Sequence, residues 1–256
     1  MTDAIPSDAG EALVDQVFRL WVNPAIAERG LALTRADVVK ALVAFPPHEW
    51  PIVLINDDVR LQAQVRPGDP LEAARGPVTI ADAASLGDLL APVEIDPNAA
   101  WVVLARIGNE LIGSFDFRRN LGTAAMLVDR AREFAEIARA SLDRGYLGPA
   151  IENSFAAAEL AVKGEMYLMQ DSPAAVHSKR VMWWERWVAL GNAPGNLAPL
   201  LDRLNVERGA ARYGDAAISM SFDDVQLALE NVAAIIDHAA ARCAPHPLLE
   251  HRSDGA

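Results

Sequence analysis

From Thr123 to Arg242, apolar residues recur every three or four positions, the spacing of one helical face. Turn-forming residues divide this half into five predicted helices, Thr123–Arg144, Pro149–Gln170, Ala174–Leu190, Leu197–Arg212 and Phe222–Arg242. The second is the most informative. Ala150, Ser154, Ala157, Ala161 and Gly164 form a stripe of small residues, and Ile151, Phe155, Ala158, Val162, Met166 and Met169 form a bulkier stripe beside it. A small-residue face lets a neighbouring backbone approach closely, and the bulky one fills the remaining volume. An antiparallel helical bundle is predicted. Pro149 suits a first helical turn, where a missing N–H costs nothing. Ser221 and Asp224 have the spacing of a capping box, with aspartate in place of glutamate.

The texture before Arg118-Arg119-Asn120 is different. Pro and Gly interrupt short runs rich in Val and Ile. A helix or strand over Leu13 to Val22 is expected to stop at Asn23-Pro24. A second helix is expected to begin at Thr34, with Asp37 in its first turn and Val38, Val39, Leu42 and Val43 apolar, and to end at Pro46-Pro47. Two β-hairpins follow. One pairs Val53 and Ile55 with Val59, Leu61, Ala63 and Val65 across Asn56-Asp57-Asp58. The other folds WVVLARIGNELIGSFDF at Gly108-Asn109. Between them, Thr79 to Leu90 resembles a short capped helix. The fold class is an α+β N-terminal domain of two hairpins with short helices, over residues 1–118, followed by an all-α five-helix bundle over residues 119–256. The tail from Pro245 is expected to fray.

The chain of 256 residues is acidic, with a formal net charge of −12. Residues 1–120 hold 10 basic and 17 acidic residues and the rest hold 13 and 18. Neither half is a polyanion binder by charge alone, because counterion release needs clustered Lys and Arg. Arg203, Arg208 and Arg212, within ten residues, leave room for a local basic patch. Cys243 is the only cysteine, which excludes an internal disulfide and a cysteine-cluster metal site. The start lacks a basic region followed by an apolar run, and no apolar run reaches membrane-spanning length. A cytoplasmic protein is expected. There is no GxGxxG, no GxxxxGK[ST], no HExxH and no nucleophile-elbow serine, so no cofactor, metal or hydrolase reading arises.

Three patterns in the second half carry a resemblance to a family. The first is a long helix ending in a Gly turn, EFAEIARASLDRGYLG. The second is an alanine-rich helix, SFAAAELAVKGEM, with Phe155, Glu159 and Lys163. The third is the Arg-led helix end ERGAARYGD, whose Arg208, Ala211 and Tyr213 fit R-N-x-A-x-Y. His177 stands where a histidine commonly opens the next helix. Over residues 122–243 the chain resembles the HEPN domain.

That resemblance implies a helical bundle, homodimerisation and a site near Arg208. In the ribonuclease members, an Arg followed four to six positions later by His supplies charge stabilisation and proton transfer. Here Tyr213 stands in the histidine's place, and no His occurs from Ser178 to Asp237. A phenol with an ordinary pKa of about 10 is a poor general base at neutral pH. The expectation is therefore a non-catalytic binding or dimerisation module, in a regulatory or antitoxin-like role, with RNA or a nucleotide as ligand. The alternatives are an endoribonuclease using Arg208 with Tyr213 or an imported His177, and a structural module whose N-terminal domain recognises a protein.

Candidate ligand contacts are Arg208, Arg212, Tyr213, Glu159 and Lys163. Against them stand plainer roles. The arginines suit ion pairing with Glu159 or Glu207 at a helix end, and Tyr213 suits closing the bundle. Glu159 and Lys163 are spaced for an i,i+4 pair. Trp183, Trp184 and Trp187 crowd one helix and point in two directions. They are read as an interface, with a second copy or with the N-terminal domain.

Overall fold

The computed structural model of the chain describes residues 7–63, 90–92, 95–107, 109–169, 176–214 and 217–244. They fall into two compact units, one up to Arg118 and one from Arg119 to Ala244. The Thr79–Leu90 helix and Val65, expected above, lie outside the described residues except for Leu90 itself.

The first unit opens with α1, Ser7–Val17, which runs through one π turn, Phe18–Val22, into α2, Asn23–Glu28. Pro24 does not halt the helix. The Asn23 N–H reaches back five residues to the Phe18 carbonyl, and this wider turn takes up the proline ring and its missing donor. Val14, Val17, Phe18, Val22 and Ile26 are buried along one side.

The helix expected from Thr34 is also corrected. Thr34 donates its N–H and its hydroxyl to the Asp37 carboxylate, at 2.8 and 2.6 Å. That cap serves only a single 3₁₀ turn, Arg35–Asp37. The apolar run beyond it is strand β1, Lys40–Phe45. It pairs on one side with β2, Ile52–Ile55, and on the other with β5, Ala100–Ile107. Leu42 packs on one face of the sheet with Trp101 and Val103, while Ala41 and Val43 pack on the other with Val102 and Leu104. A strand covered on both faces loses the alternation that would reveal it.

The expected pairing of the first hairpin does not form. β2 pairs back with β1, and β3, Leu61–Ala63, pairs with β4, Leu90–Pro92. Asn56 makes the difference. Its backbone turns at φ 54°. Its side-chain oxygen accepts from the N–H groups of Val39 and Lys40 at 2.8 and 3.3 Å, and its amide donates to the Asp37 carbonyl at 3.0 Å. One asparagine thus fastens the end of β2 to the start of β1. The second hairpin is as expected. β5 pairs with β6, Glu110–Asp116, from Ile107↔Glu110 to Trp101↔Asp116. The four-stranded antiparallel sheet has the order β2-β1-β5-β6.

The second unit is helical: α3, Leu121–Asp143; α4, Leu147–Met169; α5, His177–Ala189; α6, Leu200–Tyr213; and α7, Phe222–Cys243, with a 3₁₀ turn at Gly195–Leu197. α4 packs against all four of the other helices. Its small-residue stripe from Ala150 to Gly164 is buried, and a Cβ on Gly164 would lie 3.3 Å from the Ala124 carbonyl oxygen of α3. Of the bulky stripe only Met169 is exposed.

α3 ends in a left-handed glycine turn. Gly145, at φ 78°, donates to the Leu142 carbonyl, and Tyr146 donates to the Ser141 carbonyl at 2.9 Å. This satisfies carbonyls the helix end leaves open. Pro149 lies in the first turn of α4, as expected. Among the described residues no helix is long and apolar enough to cross a membrane.

The Ser221–Asp224 capping box forms. The Ser221 N–H donates to the Asp224 carboxylate at 3.0 Å, and the Asp224 N–H donates to the Ser221 hydroxyl oxygen at 3.2 Å. Arg203 adds a contact at 2.9 Å. The Ser221 hydroxyl, then Arg203, hold the Asp224 carboxyl down at about 2. A carboxyl depressed in the folded state stabilises it above the ordinary carboxylate range and loses that effect as pH falls toward the folded value. Unfolding midpoints in urea are therefore expected to drop as pH falls from about 4 to about 2, and less steeply in Asp224→Asn. Equal slopes in parent and variant would remove this assignment.

Candidate functional site

One face of α4 carries Glu152, Phe155 and Glu159, spaced three and four apart so that they lie above one another. α6 approaches the first of these and α5 the last.

From α6, Arg208 Nε lies 3.3 Å from Glu152 Oε2, and Arg212 Nη1 lies 3.6 Å from Oε1. Glu152 is therefore the partner of both arginines, in place of the expected Glu159 or Glu207. Its Oε2 is buried and forms no hydrogen bond among the described residues. The pairing with Arg208 is one of charge, without a well-aligned N–H···O contact. The Arg208 guanidinium also rests over the Phe155 ring, 4.7 Å from its centre, a cation–π contact strengthened by burial. Glu207 serves elsewhere: it accepts from the Ser219 N–H at 3.0 Å and from the Ser219 hydroxyl. These bonds hold its carboxyl below the usual range and tie α6 to the segment before α7.

From α5, Arg180 Nε donates to Glu159 Oε1 at 3.0 Å, and His177 Nδ1 contacts the same oxygen. The His177 ring lies 5.7 Å from the Phe155 ring centre. Arg208 and His177 thus both lie against the Phe155 ring. The His177 side chain is 46% exposed, and Arg208 is 20% exposed.

At the end of α6 the surface opens. Arg212 is 50% exposed and its guanidinium lies 5.7 Å from the Tyr213 ring, itself 67% exposed. Tyr213 does not close the bundle. Gly214, at φ 69°, ends the helix beyond it. Arg180, Arg208 and Arg212 outnumber Glu152 and Glu159 by one positive charge in this cluster, within a strongly acidic chain.

Two other expected residues are placed differently. Lys163 Nζ sits 6.0 Å from the Tyr167 ring, while Glu159 is taken by α5, so the expected i,i+4 pair is not formed. Trp184 is fully buried in its own unit, with its indole N–H donating to the Leu197 carbonyl at 3.0 Å. It is a core residue and presents no surface. Trp183 and Trp187 are half-buried and stack at 5.0 Å, and Arg242 lies over Trp187.

Glu152, Arg180 and the role of Phe155 were missed. The signal for Glu152 was present, since it stands on the helical face that Phe155 and Glu159 share. Among the described residues no group of three or more His, Cys, Asp or Glu is placed to hold a metal ion.

Comparison with known proteins gives one result for the second unit: residues 124–242 match the model of the HEPN domain family. No curated protein and no solved structure matches the chain.

Proposed function

We propose that this chain, whose residues 124–242 match the model of the HEPN domain family, is a non-catalytic binding module whose ligand is RNA or a nucleotide, held at the end of α6. The observation that carries this reading is the exposed Arg212–Tyr213 pair beside the anchored Arg208. An exposed ring next to a guanidinium offers a base a stacking surface and a phosphate a charge-assisted contact. Glu152 keeps the two arginines together in the absence of ligand.

The test is fluorescence anisotropy with a labelled single-stranded RNA and with a labelled nucleotide, at low and at moderate salt. Arg208→Ala with Arg212→Ala is expected to weaken binding by about tenfold or more and to flatten its salt dependence. Tyr213→Ala is expected to cost about tenfold through lost stacking. Binding that is unchanged in both variants would refute the assignment. Salt-insensitive association with a protein would instead favour the structural reading, in which the N-terminal unit recognises the partner. Homodimerisation, which is common among these domains, belongs to the same proposal. Sedimentation equilibrium measures it.

A second reading is favoured by one contact. His177 shares the Phe155 ring with Arg208, and Glu159 contacts its Nδ1. A carboxylate that orients an imidazole beside an arginine is an arrangement able to move a proton near a phosphate. Under this reading the chain cleaves RNA without metal, and His177→Ala and Arg208→Ala each abolish cleavage. Intact RNA after prolonged incubation with the parent protein rejects it and leaves the binding reading standing.

A further inference from the structure

The core of the helical unit holds a second group of ionisable side chains, away from the face of α4 described above. Glu165 projects from α4 with no exposed surface. Its Oε2 accepts from Arg242 Nε on α7 at 2.7 Å, and its Oε1 faces His238 Nε2, also on α7, at 3.3 Å. Neither Oε1 nor Nε2 has a hydrogen-bond partner among the described residues. The Asn192 backbone, in the loop after α5, also acts on the imidazole and favours its charged form.

This arrangement constrains the protons. A neutral His238 with its hydrogen on Nδ1 offers only a lone pair at Nε2. An ionised Glu165 offers only lone pairs at Oε1. Two acceptors would then confront each other in a closed site, where unpaired polar atoms are most costly.

We propose that Glu165 and His238 hold one proton between them, and that its loss at higher pH loosens α4 from α7. With the proton on Oε1, the carboxyl donates to Nε2 while Oε2 continues to accept from Arg242. The groups that face Glu165 from α7 are His238 and Arg242. Arg242 also lies over the Trp187 ring of α5 at 5.0 Å and donates to the Met169 sulfur at 3.7 Å.

Burial pushes the Glu165 carboxyl up to about 7, against the pull of Arg242. Burial, then Arg242, hold His238 below its ordinary value, opposed by the Asn192 backbone. Both directions put the proton on the carboxyl, and the two groups titrate as a coupled pair. A carboxyl raised in the folded state stabilises it fully below the ordinary carboxylate range. That stabilisation is withdrawn as pH rises through about 7.

Carbon NMR of the side-chain carboxyls of the full chain reads this directly. The Glu165 resonance is expected to titrate near neutral pH, with a parallel change in the fluorescence of the neighbouring tryptophans. In Glu165→Gln the amide donates to Nε2 and its oxygen accepts from Arg242, imitating the protonated state. Its unfolding midpoint is expected to lose the parent's decline as pH rises from about 4.5 to about 7. A Glu165 resonance that titrates with ordinary carboxylates overturns the proposal, whether or not the variant folds. So does a folded Glu165→Gln that keeps the full decline.

Discussion

Trp184→Ala is expected to lower the stability of the helical unit by about 3–5 kcal/mol, the cost of emptying a buried tryptophan site. The indole is fully buried in the core cluster of its unit, which also holds Val181, Val188, Leu197 and Leu201. Its N–H also satisfies the Leu197 carbonyl, at the 3₁₀ turn that links α5 to α6. Trp184→Phe separates the two contributions. It retains most of the volume but strands the carbonyl, at a cost of about 1–3 kcal/mol. Urea unfolding monitored by far-ultraviolet circular dichroism measures both variants. If Trp184→Ala unfolds within about 1 kcal/mol of the parent, the side chain is not the core element described here. An interface role for it would then return.

Gly164→Leu is expected to destabilise the same unit by about 3 kcal/mol, at the upper end for an overpacked core. The obstacle is backbone: a Cβ at this position meets the Ala124 carbonyl oxygen at 3.3 Å, with Val128 Cγ2 at 3.5 Å behind it. A backbone carbonyl in the first turn of α3 cannot swing aside as a side-chain tip can, so the two helices must move apart there. Gly164→Ala is the informative control. It gains about 1 kcal/mol of helix propensity and sets that against a contact a few tenths of an ångström too close. Thermal unfolding ranks parent, Ala and Leu variants. A Leu variant as stable as the parent would mean that α3 and α4 are not held at this close approach.

The same glycine explains why the helical half was legible from sequence. A stripe of small residues on one face and large ones beside it specifies both a helix and the nearness of its neighbour. The sheet was less legible for an equally physical reason. β1 is covered on both faces, so KALVAF carries no period to separate strand from helix. β2 found its partner upstream because the Asn56 side chain bonds to the backbone of Val39 and Lys40, a contact seventeen residues or fewer away that no alternation pattern encodes.

At the candidate site, the arginines were identified from the family pattern, whereas their partner was not. Glu152 lies three residues before Phe155 and could have been read from helical spacing. The Glu165 group was readable in part. An acidic residue one turn beyond Ala161, on the buried small stripe, marks a carboxyl that must find partners inside. That those partners are His238 and Arg242, more than seventy residues later, only the packing of α7 on α4 reveals.

The glycine turn at Gly145 has a bearing on how the chain acquires its shape. It joins α3 to α4, the helix pair that shares the widest surface in the second unit, through only a few residues. Contacts between segments so near in sequence cost little loop-closure entropy and form early. During synthesis this hairpin is complete once residue 169 has left the ribosome. The later helices then arrive at a platform already built, each adding its side chains to a surface whose spacing α3 and α4 have fixed.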